Sequence, residues 1–273
     1  MLLTTWQNFE TAASGCHILE DDLRHFEEIG YFQNRQHLLE PLDNTAYIEG
    51  PRFRKDDGFH FSLLPIPYVG NLNEADVFVL KLNPGFHDAD FFAEFKSPEF
   101  HTASIRGLQQ DFSADDFWFR YLNPAFSWHP GYDYWVKKFN DIAVILAEKA
   151  WDGNVRLALL ELSRRLAVIE LVPYHSRTYR EGSLANHLPS AQLVKRWVKE
   201  VLAPRAIRGQ AVIVVSRQAA TWGLDEQPGS IVCNDNTEAR GAHLTQNTRG
   251  GRLILDRLLG HRGRGFTLRY DCS

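Results

Sequence analysis

The stretch that decides the fold is an apolar run that stops at a polar turn: Val77-Phe-Val-Leu-Lys-Leu-Asn-Pro-Gly85. Its β-branched and aromatic residues favour a buried strand. Asn, Pro and Gly are typical turn residues, so we expect the strand to end at Asn83. In open α/β folds, ligands bind beyond the carboxyl ends of the strands. The turn is therefore either an ordinary connection or one wall of a binding site.

The composition is that of a globular protein. The chain has 273 residues, of which 44% are hydrophobic and 23% are charged. This length allows one large α/β domain, or one domain with a small appended part. The apolar runs are far shorter than the ~20 residues that cross a bilayer, and the N-terminus lacks the pattern of a signal peptide. We therefore expect a cytoplasmic protein that does not contact a membrane.

The cysteine and histidine patterns do not predict a metal centre. Cys16, Cys233 and Cys272 are far apart and form no Cys-x-x-Cys pair. The eleven histidines show neither His-x-x-His nor His-Glu-x-x-His spacing. We expect no cofactor, neither a metal ion nor an iron–sulfur cluster.

Charge is unevenly distributed along a chain whose formal net charge is −4. Residues 20–40 are acidic, whereas the segment from Arg240 to Arg269 holds seven arginines and one acidic residue. A basic region on a mildly acidic protein is compatible with a face that binds nucleic acid. The alternative is a solvated, arginine-rich tail.

Apolar runs alternate with helical patterns from residue 46 onward. This alternation predicts a three-layer α/β/α domain, spanning residues 46–273, around a short and mainly parallel sheet. Four central strands are expected at residues 75–82, 166–172, 211–215 and 230–233. Two short additional strands are expected at residues 47–48 and 59–63, and residues 1–45 are predicted to form an N-terminal helical cap.

Three polar turns follow predicted strands and are expected to meet at one edge of the sheet. Their order resembles the uracil-DNA glycosylase superfamily over roughly residues 60–260. Leu82-Asn-Pro-Gly85 is similar to the first catalytic motif of its mismatch-specific and single-strand-selective branches. Ile169-Glu-Leu-Val-Pro-Tyr174 resembles the second strand of the family, and Ala242-His-Leu-Thr245 lies where its last motif has a histidine.

The resemblance implies a monofunctional DNA glycosylase, which flips a pyrimidine out of the DNA and hydrolyses its N-glycosidic bond. By resemblance, Asn83 positions the water that attacks the sugar, and His243 donates to O2 of the departing base. Phe95 is expected to stack on the flipped base, with Phe91 and Phe92 as the alternatives. The other residues expected to contact the base are Gly85, Phe86, Glu170, Tyr174 and His175.

Two of these residues bear on which base is recognised. The uracil-specific branch has a tyrosine at the position of Gly85, and glycine leaves room for a substituent at C5. The family usually has Asn at the position of Glu170. A carboxylate only accepts hydrogen bonds, which suits the N4 amino group of cytosine. A protonated Glu170 would instead donate to cytosine N3, and burial favours that form. A further alternative is that the match to the family is shifted by one residue and that Glu170 only forms a cap or pairs with Arg177.

These features suggest a 5-modified cytosine as the substrate base, such as occurs in bacteriophage DNA, and hence a defence enzyme. Repair of uracil or of a mismatched base is the other possibility. DNA is the expected partner, held by Arg177, Arg240, Arg249 and Arg252, and no obligate protein partner is expected.

Two other classes of function remain open. A catalytically silent nucleic-acid-binding protein on the same fold is the first, because a fold does not fix a function. An unrelated α/β hydrolase is the second, but the chain lacks a Gly-x-Ser-x-Gly elbow and a phosphate-binding Gly-x-x-x-x-Gly-Lys loop. Its nearest candidate nucleophile is Ser216.

Overall fold

The computed structural model describes residues 2–9, 15–114, 116–180, 182, 184–234 and 244–260. A mixed sheet of five strands lies at the centre of this part of the chain. The strands are β1 (Tyr68–Val69), β2 (Val77–Lys81), β3 (Leu166–Glu170), β4 (Val212–Val215) and β5 (Ile231–Cys233). Their order is β1-β3-β2-β4-β5. β1 is antiparallel to β3, and the other neighbours are parallel.

The prediction of an α/β fold with a mainly parallel sheet is confirmed, but the predicted number of strands is wrong. β2 to β5 lie within the four predicted ranges. The additional strand, β1, has only two residues and pairs at the sheet edge with Ile169 and Val168. A segment this short carries no alternation of apolar and polar residues, so its pattern could not reveal it.

The two additional strands expected near the N-terminus are also wrong. Residues 44–49 form a helix instead, because the side chain of Asp43 caps it by accepting the N–H of Ala46 at 2.8 Å. Residues 59–63 are buried but form turns rather than a strand.

Helices cover the sheet and account for most of the residues between its strands. They are α1 (Leu2–Gln7), α2 (Glu20–Glu28), α3 (Asn44–Glu49), α4 (Ala89–Lys96), α5 (Pro98–Gln109), α6 (Pro130–Ala150), α7 (Val155–Arg165), α8 (Leu184–His187), α9 (Pro189–Trp197), α10 (Ala203–Ile207), α11 (Ala219–Trp222) and α12 (Arg249–Gly260). A π-helical turn, Val198–Leu202, joins α9 to α10. None of the helices in the described ranges is long and apolar enough to cross a membrane.

Both faces of the sheet are buried, as is usual for parallel strands. Alternate residues of β2 belong to different apolar clusters, Phe78 and Leu80 to one and Val77 and Val79 to the other. The first cluster includes residues of α1, α2 and α9, and the second includes residues of α6, α7 and α12.

The N-terminal segment is part of the first of these clusters. Trp6 of α1 and Phe26 of α2 are fully buried there. Asp22 is also fully buried, and it accepts hydrogen bonds from the hydroxyl of Tyr174 at 2.6 Å and the backbone N–H of Ser190 at 2.8 Å. The predicted cap region is therefore helical in part, and it packs onto the sheet; its separation from residues 46–273 stays a prediction.

Candidate functional site

A cleft of about 640 Å³ opens where β2, β3 and β4 end. Its volume lies within the ~300–1,000 Å³ typical of sites for small molecules. The segments that line it include the turn after β2, the first turn of α4, the end of β3 and the residues after it, the loop after β4, and the first turns of α6. The cleft therefore lies where open α/β sheets bind ligands.

A buried ion pair lies in this cleft. Lys81 and Glu170 are direct partners in the pairing of β2 with β3, and Nζ of Lys81 lies 3.5 Å from Oε1 of Glu170. Burial raises the pKa of Glu170, and the charges of Lys81 and Lys138 oppose this rise. Burial lowers the pKa of Lys81, but the attraction of Glu170 outweighs it, and that pKa lies above its usual value.

The second oxygen of Glu170 is available to a ligand. Oε2 is buried and has no hydrogen-bond partner among the described residues. Glu170 lines the cleft although its side chain is only 3% exposed. A buried acceptor of this kind is costly unless a donor reaches it, so a bound molecule with an N–H group would satisfy it.

Asn83 is held by the segment that follows β3. Its amide Nδ2 donates to the hydroxyl of Ser176 at 2.9 Å, and both residues line the cleft. The bond joins the turn after β2 to the segment after β3. It also fixes the orientation of the Asn83 amide, which leaves the amide oxygen as an acceptor for water or substrate.

Gly85 adopts a conformation that favours glycine. Its φ is +77°, and a Cβ added there would meet no heavy atom within 4 Å. His175 lies behind this turn. Its Nδ1 is 3.1 Å from the carbonyl oxygen of Gly85, and its Nε2 is 3.2 Å from that of Leu64. His175 lines the cleft, but both ring nitrogens face backbone carbonyl groups, so its main contacts hold the turn.

A buried carboxylate supports the wall of the cleft formed by α4 and α6. Oδ1 of Asp90 lies 3.0 Å from Nε2 of His129, whose Nδ1 accepts the N–H of Gly131. Burial raises the pKa of Asp90, but His129 and the charge of His175 outweigh it, and that pKa lies below its usual value. Both ring nitrogens of His129 have neighbours in the protein, which indicates a positioning role.

The structure brings half of the predicted site residues together. The predicted residues that line the cleft are Asn83, Gly85, Phe86, Glu170, His175 and Arg177. Phe86 stacks on His60 with 3.8 Å between ring centroids, and the guanidinium of Arg177 lies 5.2 Å from the Phe86 ring. Arg177 pairs with Asp88, so the alternative that Glu170 pairs with Arg177 is wrong.

Tyr174 and Phe95 are not brought into the cleft, contrary to expectation. Tyr174 is buried in the apolar cluster under α2, where its hydroxyl donates to Asp22. It directly precedes His175, whose side chain lines the cleft. Phe95 is 40% exposed and lies against Phe91, with 6.1 Å between ring centroids.

The arginines expected to bind DNA are also dispersed. Arg249 pairs with Glu226, and Nε of Arg252 donates to the carbonyl of Gln246 at 3.4 Å; neither arginine lines the cleft. Arg240 and His243 lie outside the described residues. Arg217, which follows β4, is exposed and lines the cleft, and the sequence pattern did not single it out.

Two lysines of the cleft could have been identified from the sequence as candidate site residues. Lys81 is the one charged residue in the apolar run of β2, and Lys138 interrupts the buried stripe of α6 beside Trp135 and Phe139. A charge on an otherwise apolar face is costly, and it therefore indicates a partner or a function. Only the register of the strands shows that Lys81 meets Glu170.

Within the described ranges, no group of three or more His, Cys, Asp or Glu residues is arranged to hold a metal ion. No family model, curated protein or solved structure matches the chain. The function of the cleft is therefore inferred from its own residues and geometry.

Proposed function

We propose that the protein is a monofunctional DNA glycosylase that hydrolyses the N-glycosidic bond of a flipped cytosine-type base. The observation that carries this proposal is the presence of Asn83 and Glu170 in one cleft, beside the open turn at Gly85. A three-layer α/β/α arrangement and a cytoplasmic location belong to the same proposal. The two buried faces of the sheet support the layers.

Glu170 is the residue that reads the base. Its Oε2 is a buried acceptor with no hydrogen-bond partner among the described residues, and the N4 amino group of cytosine is a matching donor. Uracil and thymine present a carbonyl oxygen in place of that amino group, and two acceptors repel each other. Lys81, 3.5 Å from Oε1, compensates for the negative charge of the carboxylate.

Asn83 positions the attacking water. An amide is too weak a base to remove a proton, but its oxygen can orient water toward the sugar carbon as the bond to the base breaks. The bond from Asn83 Nδ2 to Ser176 keeps the amide in one orientation. Positioning contributes most when the group is held before the substrate arrives.

The space at Gly85 supports a substrate with a substituent at C5. Nothing lies within 4 Å of the position that a Cβ would occupy, so the turn does not close this side of the cleft. Cytosines modified at C5 occur in bacteriophage DNA, which makes defence against phage the proposed role.

A base-release assay tests the proposal. The substrates are oligonucleotides with uracil, a mismatched thymine, cytosine, 5-methylcytosine or 5-hydroxymethylcytosine. We expect release of a 5-modified cytosine by the wild-type protein. Asn83→Ala should lose release but retain DNA binding. Release of uracil alone would overturn the cytosine assignment, and DNA binding without release of any base would identify a silent binder.

A further inference from the structure

A second buried amine lies in the cleft and has no role in the steps described so far. Lys138 comes from α6, lines the cleft, and is only 5% exposed. Its Nζ lies 5.7 Å from the centroid of the Tyr134 ring, and Nζ of Lys81 lies 5.0 Å from the same centroid. Both ammonium groups are therefore close to one aromatic ring at the cleft.

The two lysines differ in their electrostatic surroundings. Lys81 forms the ion pair with Glu170, which balances its charge. Among the described residues, the charged groups that act on Lys138 are Lys81, Arg217 and Glu170, which are two positive charges and one negative charge. Together with Lys138 itself, the described residues of this part of the cleft carry an excess of positive charge. Such surroundings stabilise an anion, or a group that becomes negative during a reaction.

The ionisable groups on the other elements packed against α6 have partners of their own. On α12, Arg249 pairs with Glu226 and Arg257 pairs with Asp76, and Arg252 donates to a backbone carbonyl. On α7, Arg165 binds both Asp76 and Glu161. The phenols of Tyr121 and Tyr134 line the cleft as well. Within the part of the chain that the structure describes, the positive charge near Glu170 therefore comes mainly from Lys81, Lys138 and Arg217.

We propose that Lys138 is a catalytic residue that donates a hydrogen bond to the departing base and neutralises the charge that develops on it. The inference rests on the proposed glycosylase function and adds a residue to it. Lys138 and Glu170 line the same cleft and interact electrostatically, so a base held by Glu170 would present to Lys138 the ring edge next to the N4 amino group. N3 and O2, the atoms over which the leaving electron pair spreads, lie on that edge.

The reaction balances without any further reactant. The bond between C1′ and N1 breaks, and its electron pair stays on the base. The oxygen of water forms the new bond to C1′. The proton that the water gives up passes through the solvent to the base, which leaves as neutral cytosine. Lys138 supplies the hydrogen bond during bond breaking and ends the cycle in its original protonation state.

The protonation of Lys138 gives the reaction a pH dependence. Burial, together with Lys81 and Arg217, lowers the pKa of Lys138 to about 8. The ammonium is present at pH 7 and is lost as the pH rises above 8. If the charged form of Lys138 is the one that donates the hydrogen bond, the rate of base release should fall above pH 8.

Single-turnover release of the base by three variants tests the role of Lys138. Lys138→Met should slow release by about 100-fold, the usual effect of removing one group that stabilises developing charge. It should also abolish the fall in rate above pH 8. Lys138→Arg keeps a charge at all these pH values, so it should retain more activity and also lose the fall. Lys137→Met is the matched control, because Lys137 is adjacent, 67% exposed and paired with Asp133.

A better leaving group provides a readout that a purely structural role would not change. With 5-fluorocytosine, whose anion is more stable, the defect of Lys138→Met should shrink relative to the defect with cytosine. An equal defect on both bases, or a wild-type rate in Lys138→Met, would overturn the role of Lys138 alone. Failure of the wild-type protein to release any base would overturn the proposed function and this inference together.

Discussion

Lys81 and Glu170 are opposite each other at the ends of two parallel strands, and their side chains form a buried pair with 3.5 Å between Nζ and Oε1. Their side chains are 17% and 3% exposed, so neither charge is well solvated. The pair joins the two strands that lead into the proposed catalytic turn and the proposed base-reading residue. In the proposed function, stability and recognition of the base therefore depend on the same contact.

Removal of one member of this pair should destabilise the protein strongly. Lys81→Met leaves Glu170 buried with less compensation, which typically costs ~3–5 kcal/mol. The pKa of Glu170 is already raised by burial and should rise further. A raised carboxyl pKa means that stability falls as the pH increases past the unfolded-state value, so the variant should lose more stability at pH 7 than at pH 5. Urea unfolding at the two pH values measures this difference.

The double variant Lys81→Met/Glu170→Leu is the control for this prediction. It removes both charges, so it should be more stable than Lys81→Met while remaining inactive. A double variant no more stable than the single one would show that the loss comes from packing of the Lys81 side chain.

Gly85→Tyr should change which bases the protein releases. A tyrosine there would fill the space beside the turn and exclude substituents at C5, so release of 5-modified cytosine should fall much more than release of cytosine. The backbone at φ +77° disfavours any side chain by about 1 kcal/mol. Gly85→Ala shares that strain but adds only one methyl group, so the ratio of kcat/KM values for the two bases should stay close to wild type.

Lys138→Met should stabilise the fold although it slows the reaction. The pKa of Lys138 falls from 10.5 to about 8, a shift that corresponds to about 3 kcal/mol at most. A lowered lysine pKa costs stability below pH 8, and the cost disappears as the pH rises from 8 to 10.5. Thermal unfolding should therefore show a higher Tm for the variant at pH 7 and a smaller gain at pH 10. A lower Tm at pH 7 would contradict a strained, buried charge.

Arg217→Ala should weaken DNA binding by removing one phosphate contact at the cleft. Arg217 is exposed and lines the cleft, and in the proposed complex it would meet the strand that carries the flipped nucleotide. Loss of one such contact should lower the slope of log Kd against log salt concentration by about 1. Arg24→Ala is the control, because Arg24 lies on α2 and pairs with Asp21. An unchanged slope in Arg217→Ala would place the bound strand elsewhere.

The sequence predicted the sheet well because four of its strands are apolar runs bounded by turn residues. β1 could not be predicted from a pattern, since two residues show no period. The wrong strand at residues 47–48 ignored Asp43, whose side chain caps the helix α3 that forms there. Local capping thus outweighed the strand preference of Tyr47 and Ile48.

Only the site residues that lie at the ends of strands could be predicted from the sequence. Asn83 and Glu170 lie at the ends of β2 and β3, so parallel pairing brings them to one edge. The inclusion of Tyr174 was wrong because its side chain is buried in an apolar cluster and its hydroxyl donates to Asp22, a contact distant in sequence that no local pattern shows. Lys138 belongs to α6, and the position of this helix against the sheet depends on packing along its whole length. A short sequence motif does not contain that information.

Asp22 links the N-terminal helix α2 to the segment that lines the cleft. Its carboxylate receives the hydroxyl of Tyr174, the residue immediately before His175, and the N–H of Ser190 at the start of α9. Detachment of α2 would leave two buried donors without an acceptor, next to the segment that holds Asn83 through Ser176. Residues 20–28 and 174–176 are therefore expected to open together, as one cooperative unit of unfolding. Amide hydrogen exchange would show similar protection in both segments, and a substitution that loosens α2 is expected to loosen the segment that holds Asn83 as well.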